Sequence, residues 1–260
     1  MGLVNVVSHG DWVEVILNRP EKRNALSPEL VQELKQVVAE LRQDAAVKAV
    51  VFAGAGKAFS AGADLAYLQA LSKFSEEENQ QDVAALSELF QAIYTLPKIT
   101  VARVNGPALA GGCGLVTLMD FVFAAQQAIF GYTEARIGFV PALVANYLLR
   151  KVSGSVATEL LLFARILTAE EAHKIGLVHR VVADDALNET VAQFVEDLLA
   201  QNSFQAMVLT KQLLRDIQEQ PLNRGLEIAA EVNVAARKTS DCQRGLAAFL
   251  NKQKVNWRES

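Results

Sequence analysis

The sequence VARVNGPALAGGCGLVTLMD at residues 101–120 contains the pattern from which the rest of the chain can be interpreted. An apolar run that begins at Ile99 predicts a buried strand, residues 105–107 have turn chemistry, and Gly111 and Gly112 precede a second apolar segment. A strand, a tight turn and a helix that begins at glycine direct unpaired backbone N–H groups toward one point, where a phosphate, a carboxylate or an oxyanion can bind. A lone pair of glycines more often only allows close packing, so this interpretation depends on the rest of the sequence.

Length and composition predict one large domain, or one domain with a smaller appendage. The chain has 260 residues, of which 51% are hydrophobic and 21% charged, so it can bury a sizeable core. A formal net charge of −4 provides no basic surface of the kind that binds nucleic acid. The two cysteines, Cys113 and Cys242, give no disulfide framework, and the three scattered histidines give no metal site at a recognisable spacing.

The sequence contains no recognisable targeting segment. Its first residues, MGLVNVVSHGDW, lack a charged region followed by an apolar one. The apolar run at 107–125 contains glycines and Asp120, and it is better explained as buried core than as a membrane span. We therefore expect a cytoplasmic protein that binds neither a membrane nor nucleic acid.

Strand and helix patterns alternate through the first part of the chain. Residues 12–17 and 47–53 are rich in valine and other apolar residues and predict strands. Between them, Ser27 is followed by a proline and an acidic residue, which is typical of a helix N-terminus. Apolar residues at helical spacing then predict an amphipathic helix over residues 28–42.

Two later helix starts have the spacing of a capping box, in which a hydroxyl residue and an acid three residues later bond each other's backbone N–H groups. The pairs are Ser75 with Glu78 and Thr168 with Glu171. The acidic, glutamine-rich residues 73–82 around the first pair are a candidate for a mobile flap, although an ordinary solvated helix start explains them as well.

Helical patterns dominate the chain after about residue 186. Strands that alternate with helices, followed by helices alone, predict an α/β core with a C-terminal helical region. We place the core at residues 1–195 and the helical region at residues 196–260.

Two motifs of nucleotide-binding and hydrolytic enzymes are only partly present. The segment at 54–57, GAGK, lacks both the first glycine and the final serine or threonine of a phosphate-binding loop. The segment at 58–62, AFSAG, resembles a nucleophile elbow without its first glycine, and no histidine stands in a setting that would activate Ser60. We therefore do not predict either chemistry.

Two glycine turns remain, at 61–64 and at 110–112, and each follows a strand pattern and precedes a helix pattern. If each turn directs one N–H group to a shared carbonyl oxygen, the two form an oxyanion hole. Further along, Glu134 is a lone acid in a mostly apolar segment and could act as a base. A surface acid paired with Arg136 explains it equally well from spacing alone.

Five segments together resemble the enoyl-CoA hydratase/isomerase (crotonase) family, in order and over nearly the whole chain. They are RPEKRNALS at 19–27, AFSAGADL at 58–65, VNGPALAGGCGL at 104–115, FGYTEARIGFVP at 130–141 and AEEAHKIGLVHRVV at 169–182. The resemblance implies a spiral of ββα units with a C-terminal helical region that assembles the chain into a homotrimer or hexamer. It also implies an acyl-CoA thioester substrate whose enolate is held by two peptide N–H groups.

The resemblance assigns roles to residues at matching positions. It implies that the N–H groups of Ala63 and Gly111 form the oxyanion hole. It also implies that the backbone around Ala61, Asp64 and Leu65 lines the path of the adenine and pantetheine parts of coenzyme A. No metal and no separate cofactor is expected, because coenzyme A is part of the substrate.

The two catalytic carboxylates of the family fall at Glu134 and Gly114, and only the first is present. We count Gly114 among the substrate-binding positions. The overall pattern favours a 2-enoyl-CoA hydratase, while a single carboxylate also suits a Δ3-Δ2-enoyl-CoA isomerase, which takes a proton from one carbon and returns it to another. A CoA-thioester hydrolase or decarboxylase is a more distant alternative. An RNA-binding member of the family is disfavoured by the acidic charge balance.

Overall fold

A computed structural model describes residues 2–71, 73–218 and 220–259 of the chain. It separates into two compact units, one formed by Met1–Leu96 and Thr100–Val191 and the other by Pro97–Ile99 and Ala192–Ser260. The division after Val191 lies a little before the predicted boundary at residue 195. None of the helices in the part that the structure describes combines the length and the apolar character needed to cross a membrane.

The strands of the described residues form one sheet of six strands and one of three. In chain order they are β1 (Val4–Ser8), β2 (Trp12–Leu17), β3 (Ala49–Gly54), β4 (Ile99–Val104), β5 (Ala108–Leu109), β6 (Phe121–Ala125), β7 (Ile129–Gly131), β8 (Leu167–Thr168) and β9 (Arg180–Val182). The larger sheet has the order β1-β2-β3-β4-β6-β9, and the smaller has the order β5-β7-β8. The pairs β2–β3, β4–β6, β6–β9 and β5–β7 are parallel, whereas β1–β2 and β7–β8 are antiparallel.

The helices follow the strands in the alternation that the sequence predicts. They are α1 (Pro28–Gln43), α2 (Leu65–Leu71), α3 (Glu76–Tyr94), α4 (Gly111–Thr117), α5 (Ala142–Leu148), α6 (Gly154–Thr158), α7 (Ala169–Lys174), α8 (Leu187–Gln201), α9 (Phe204–Ile217), α10 (Leu222–Arg237) and α11 (Ser240–Leu250). Short 3-10 turns cover Pro20–Lys22, Glu134–Ile137, Asp184–Ala186 and Trp257–Glu259, and a π-helical turn covers Glu159–Phe163. The predicted mixed α/β architecture with a helical C-terminal region is confirmed.

The predicted helix starts are confirmed in atomic detail. The Ser27 hydroxyl accepts a hydrogen bond from the N–H group of Leu30 at the start of α1. Both capping boxes are complete: Ser75 and its partner begin α3, and Thr168 and its partner begin α7. Residues 76–82, which include most of the candidate flap, are therefore the first turns of α3.

The core of the first unit explains why its central strands are continuous apolar runs. Residues Ala49–Ala53 of β3 are all buried, and in β4 every residue except Arg103 is buried. Parallel strands covered on both faces lack the alternation of exposed strands, because neither face is in contact with water. The buried strand that the sequence predicts from Ile99 is β4.

Candidate active site

Parallel pairing brings three loops to the same edge of the fold. The segment that contains Ser60 pairs in parallel with Ala108 of β5, and β5 pairs in parallel with β7. Parallel neighbours present their carboxyl ends at the same edge, and ligands of α/β proteins bind beyond that edge. Ala63, Gly111 and Glu134 follow these three segments closely along the chain, so all three lie at this edge.

The N–H group of Ala63 is an unused donor that faces away from its neighbouring strand. Leu26 bridges Ala63 in parallel: its N–H group donates to the carbonyl of Gly62 at 2.6 Å, and its carbonyl accepts from Asp64 at 3.1 Å. Backbone groups alternate in direction along an extended segment, so the N–H group of Ala63 points to the other side. Within the described residues it has no hydrogen-bond acceptor.

The N–H group of Gly111 is free for a different reason. Gly111 is the first residue of α4, and the first N–H groups of a helix have no partner within it. The preceding Ala110 has φ 47° and ψ −127°, a region that normally favours glycine. Because ψ of Ala110 sets the plane of the next peptide, this unusual conformation determines where the Gly111 N–H group points. No residue that the structure describes accepts a hydrogen bond from it.

The two loops touch through glycines. A β-carbon on Gly62 would lie 3.5 Å from the nitrogen of Gly111 and 2.8 Å from the β-carbon of Ala110, and Gly62 has φ +90°. A β-carbon on Gly112 would overlap the backbone of Ser60. Only glycine allows this approach, which places the two unpaired donors on adjoining stretches of backbone. An oxyanion hole requires such an arrangement.

The Asp64 side chain holds the first loop in place. One carboxylate oxygen is 2.7 Å from the Arg19 guanidinium, and the other accepts the N–H groups of Ala66 at 2.8 Å and Tyr67 at 3.3 Å. Burial acts to raise the pKa of Asp64, but these hydrogen bonds and the positive charge outweigh it and lower the pKa. The side-chain oxygens of Asp64 are thus engaged within the protein.

Ala61 and Leu65 lie on either side of this ion pair along the chain. The N–H group of Ala61 donates to the carbonyl of Arg23 at 2.9 Å, which ties the loop to the segment after β2. Leu65 is the first residue of α2. The structure thus brings the backbone of Ala61, Asp64 and Leu65 together with Ala63, and the assignment of this backbone to the coenzyme A path stays a prediction.

Glu134 is half-buried in the turn Glu134–Ile137, at its first residue. Its Oε2 atom is buried and has no hydrogen-bond partner in the part of the chain that is described. Burial raises the pKa of Glu134 above its ordinary value, and a hydrogen bond from its own backbone N–H group only partly opposes this. The Arg136 guanidinium donates to the carbonyl of Ala164 at 2.5 Å instead of pairing with Glu134. A buried carboxylate oxygen without a partner is uncommon and indicates a functional group.

A buried hydrogen-bond chain, which the sequence did not predict, connects the Glu134 turn with α4. The hydroxyl groups of Tyr132 and Thr117 are 2.6 Å apart, and the Thr117 hydroxyl donates to the carbonyl of Cys113 at 2.8 Å. Since Thr117 has one hydrogen to donate, Tyr132 donates to Thr117. Burial raises the pKa of Tyr132 well above its ordinary value, so the phenol stays protonated. The only sequence signal for this contact is a tyrosine and a threonine within apolar segments.

Gly114, where the resemblance places the missing acid, is buried against other side chains. A β-carbon on it would lie 3.0 and 3.1 Å from two ring carbons of Phe90 and 3.4 Å from Val144. Gly114 lies in the same helix as Gly111, but no carboxylate extends from this position. Its role as a substrate-binding position stays a prediction.

Two other types of chemistry find no support in the described residues. The Ser60 hydroxyl is buried and donates to the carbonyl of Asn24 at 2.8 Å, so it holds the loop in place. No group of three or more His, Cys, Asp or Glu side chains is close enough to bind a metal ion in the part of the chain that the structure describes.

Comparison with known proteins points to one family. The sequence pattern of the family described as enoyl-CoA hydratase/isomerase matches residues 10–260. A Thermus thermophilus protein, whose name assigns it provisionally to the enoyl-CoA hydratases, is 43% identical over 95% of this chain and 97% of its own length. Crotonyl-CoA hydratase of Syntrophomonas wolfei is 34% identical over 93% of this chain and 92% of its own.

Solved structures give the same result. The crystal structure of an enoyl-CoA hydratase from Mycobacterium smegmatis superposes with a TM-score of 0.93 at 30% identity and covers 99% of both chains. This likeness confirms the predicted crotonase-like fold. The family pattern and the matches to relatives each cover almost the entire length of this chain. The chain therefore belongs to the enoyl-CoA hydratase/isomerase family.

Proposed function

We propose that the protein is an enoyl-CoA hydratase that adds water across the double bond of a 2-enoyl-CoA. One observation carries this proposal: the unpaired, half-buried carboxylate of Glu134 lies at the same edge of the fold as two unpaired backbone donors. Relatives named as hydratases support the same reaction. Coenzyme A enters as part of the substrate, and the reaction needs no separate cofactor or metal.

The N–H groups of Ala63 and Gly111 bind the thioester carbonyl oxygen, which becomes negative when the enolate forms. The donors are fixed before the substrate arrives, since one belongs to a bridged segment and the other to a helix end. Removal of one oxyanion donor typically raises the barrier by about 3–4 kcal/mol. Two such donors make a thioester enolate accessible to a weak base.

Glu134 moves the proton. Its carboxylate takes a proton from water as the water oxygen bonds to C3, and the resulting carboxylic acid gives that proton to C2 as the enolate collapses. One water is added and Glu134 returns to its starting form. A pKa raised by burial suits this work, because a proton carrier is most effective when its pKa is close to the working pH.

A Δ3-Δ2-enoyl-CoA isomerase is the second candidate, and the surroundings of Gly114 favour it. Of the two positions where the family has its carboxylates, only Glu134 carries an acid, and Phe90 and Val144 lie against the other position, Gly114. One acid suffices to remove a proton from C2 of a 3-enoyl-CoA and return it at C4. The oxyanion hole serves both reactions in the same way.

Product analysis distinguishes the two reactions. The purified protein is incubated separately with crotonyl-CoA and with a 3-enoyl-CoA, and products are identified by mass and chromatography. Hydration of crotonyl-CoA adds the mass of one water, whereas isomerisation gives a product of equal mass. A protein that converts neither thioester would overturn the proposal.

Self-association as a homotrimer or hexamer belongs to the same proposal. The proposal draws on several large apolar side chains of the C-terminal unit that are exposed, since burial of apolar surface drives most protein association. They are Leu214, Leu222, Leu226, Val234, Leu246, Phe249 and Leu250. Light scattering should give three or six times the mass of one chain, and a monomer would contradict this part of the proposal.

A further inference from the structure

Phe90 of α3 lies tightly against the position from which a second carboxylate would extend. A β-carbon added at Gly114 would stand 3.0 Å from the Cζ atom and 3.1 Å from the Cε2 atom of the Phe90 ring. Val144 of α5 lies 3.4 Å away on the same path. A glutamate at position 114 would therefore need the Phe90 ring to shift by a few tenths of an ångström to make room for its β-carbon.

Neighbouring aromatic rings pack against the Phe90 ring and hold it in place. It is only 2% exposed. The Tyr147 ring packs against it edge to face, with the ring centres 6.1 Å apart, and Tyr94 packs against Tyr147 in the same manner at 5.0 Å. Close-packed aromatic clusters resist displacement, since each ring fills the space its neighbours would need.

We propose that Phe90, together with the glycine at position 114, closes the second acid position and so leaves the site with a single acid. The inference rests on the proposed function, in which Glu134 carries the proton. With two acids, one activates water while the other delivers the proton; with one acid, Glu134 must do both in sequence. An apolar ring at the second position also provides no partner for a water molecule. Phe90 and Gly114 together thereby set the balance between hydration and double-bond migration.

A double-mutant cycle tests this. The variants G114E, F90A and F90A/G114E are compared with the wild type by kcat/KM for hydration of crotonyl-CoA and for isomerisation of a 3-enoyl-CoA. G114E alone should unfold at a lower temperature and hydrate no faster, because its side chain meets the ring. F90A alone should also show no gain in hydration, since an apolar cavity stays dry and offers no acid.

The double variant should hydrate faster than either single variant by about tenfold or more, a modest share of what one acid–base group contributes. Its pH–rate profile should show a second ionisation that the wild type lacks. A change that acted only through packing would not add an ionisation. The matched control is L89A/G114E, because Leu89 is a buried residue of the same helix α3, and it should show no gain.

Two results would overturn this inference while the proposed function remained supported. One is a gain in G114E alone as large as in the double variant. The other is a folded double variant that hydrates no faster than the singles, while wild type stays active and E134Q stays inactive. If the double variant does not fold, F90L/G114D introduces the same chemistry with smaller changes and is judged by the same criteria. A wild type inactive on both thioesters would instead overturn the proposed function, and this inference with it.

Discussion

The hydroxyl group of Tyr132 lies 2.6 Å from that of Thr117 in the buried core of the first unit. Tyr132 precedes Glu134 by two residues, and Thr117 is the last residue of α4, the helix that begins at Gly111. This single contact therefore joins the segment that carries the proposed base to the helix that carries one of the proposed oxyanion donors.

Removing this hydroxyl should weaken catalysis more than binding. In Y132F the free energy of unfolding should fall by about 1 kcal/mol, because that is the usual net contribution of one hydrogen bond. Small displacements of a catalytic group can cost up to about a hundredfold in rate, so kcat should fall clearly while KM changes little. Steady-state kinetics and thermal unfolding measure both effects. The role assigned to Tyr132 is wrong if Y132F is destabilised yet retains full kcat.

Replacing Glu134 by glutamine should remove turnover and retain substrate binding. The amide keeps the shape of the side chain but cannot accept a proton, so kcat should fall by about 10²- to 10⁴-fold. Binding of an acyl-CoA, measured by calorimetry, should be nearly unchanged. E77Q is a control because Glu77 is an exposed acid of α3, and it should behave like wild type. Substantial turnover by E134Q would show that another group moves the proton.

The raised pKa of Glu134 also predicts how stability depends on pH. A carboxyl group whose pKa is higher in the folded state than in the unfolded state stabilises the fold while it is protonated. That contribution is complete below the ordinary glutamate pKa of about 4.3 and is lost as the pH rises through the higher folded value. E134Q should therefore gain stability relative to wild type on going from acid to neutral pH. Melting temperatures across that range should show it, and an equal difference at every pH would contradict it.

The activity should have the opposite dependence on pH. Glu134 must be ionised to accept a proton, so kcat/KM should fall as the pH drops through the raised pKa. The midpoint of this fall should lie above the ordinary value for glutamate. A profile with its midpoint at the ordinary value would mean that the free enzyme does not bury the carboxylate.

Ala110 should show a conflict between stability and activity. Its φ of 47° with ψ of −127° is strained for any residue with a side chain, and such strain costs of order 1–3 kcal/mol. A110G should relieve this strain. Glycine also makes the unfolded chain more flexible, which opposes part of the effect, so the free energy of unfolding should rise by about 1 kcal/mol. The Gly111 N–H group would then be held less firmly, so kcat should fall. A variant that is both more stable and fully active would show that the strain has no part in catalysis.

Local elements of the fold were predictable from the sequence. The helix α1 and the capping boxes of α3 and α7 depend on residues within a few positions of one another. The strands β5 and β8 were not predictable, because two residues are too few to show a period. Yet β5 is the strand that joins the loop after Ser60 to β7, and without it the loops would not share an edge.

The sequence by itself determined the family and predicted the roles of Ala63, Gly111 and Glu134, because both depend on motifs that can be recognised in order along the chain. It left open whether Glu134 pairs with Arg136 and what stands opposite Gly114. Only the tertiary structure decided that Arg136 binds the carbonyl of Ala164 and that Phe90 faces Gly114. Burial and pairing are set by segments that are distant in sequence and meet only in the folded chain, so no local pattern could have shown them.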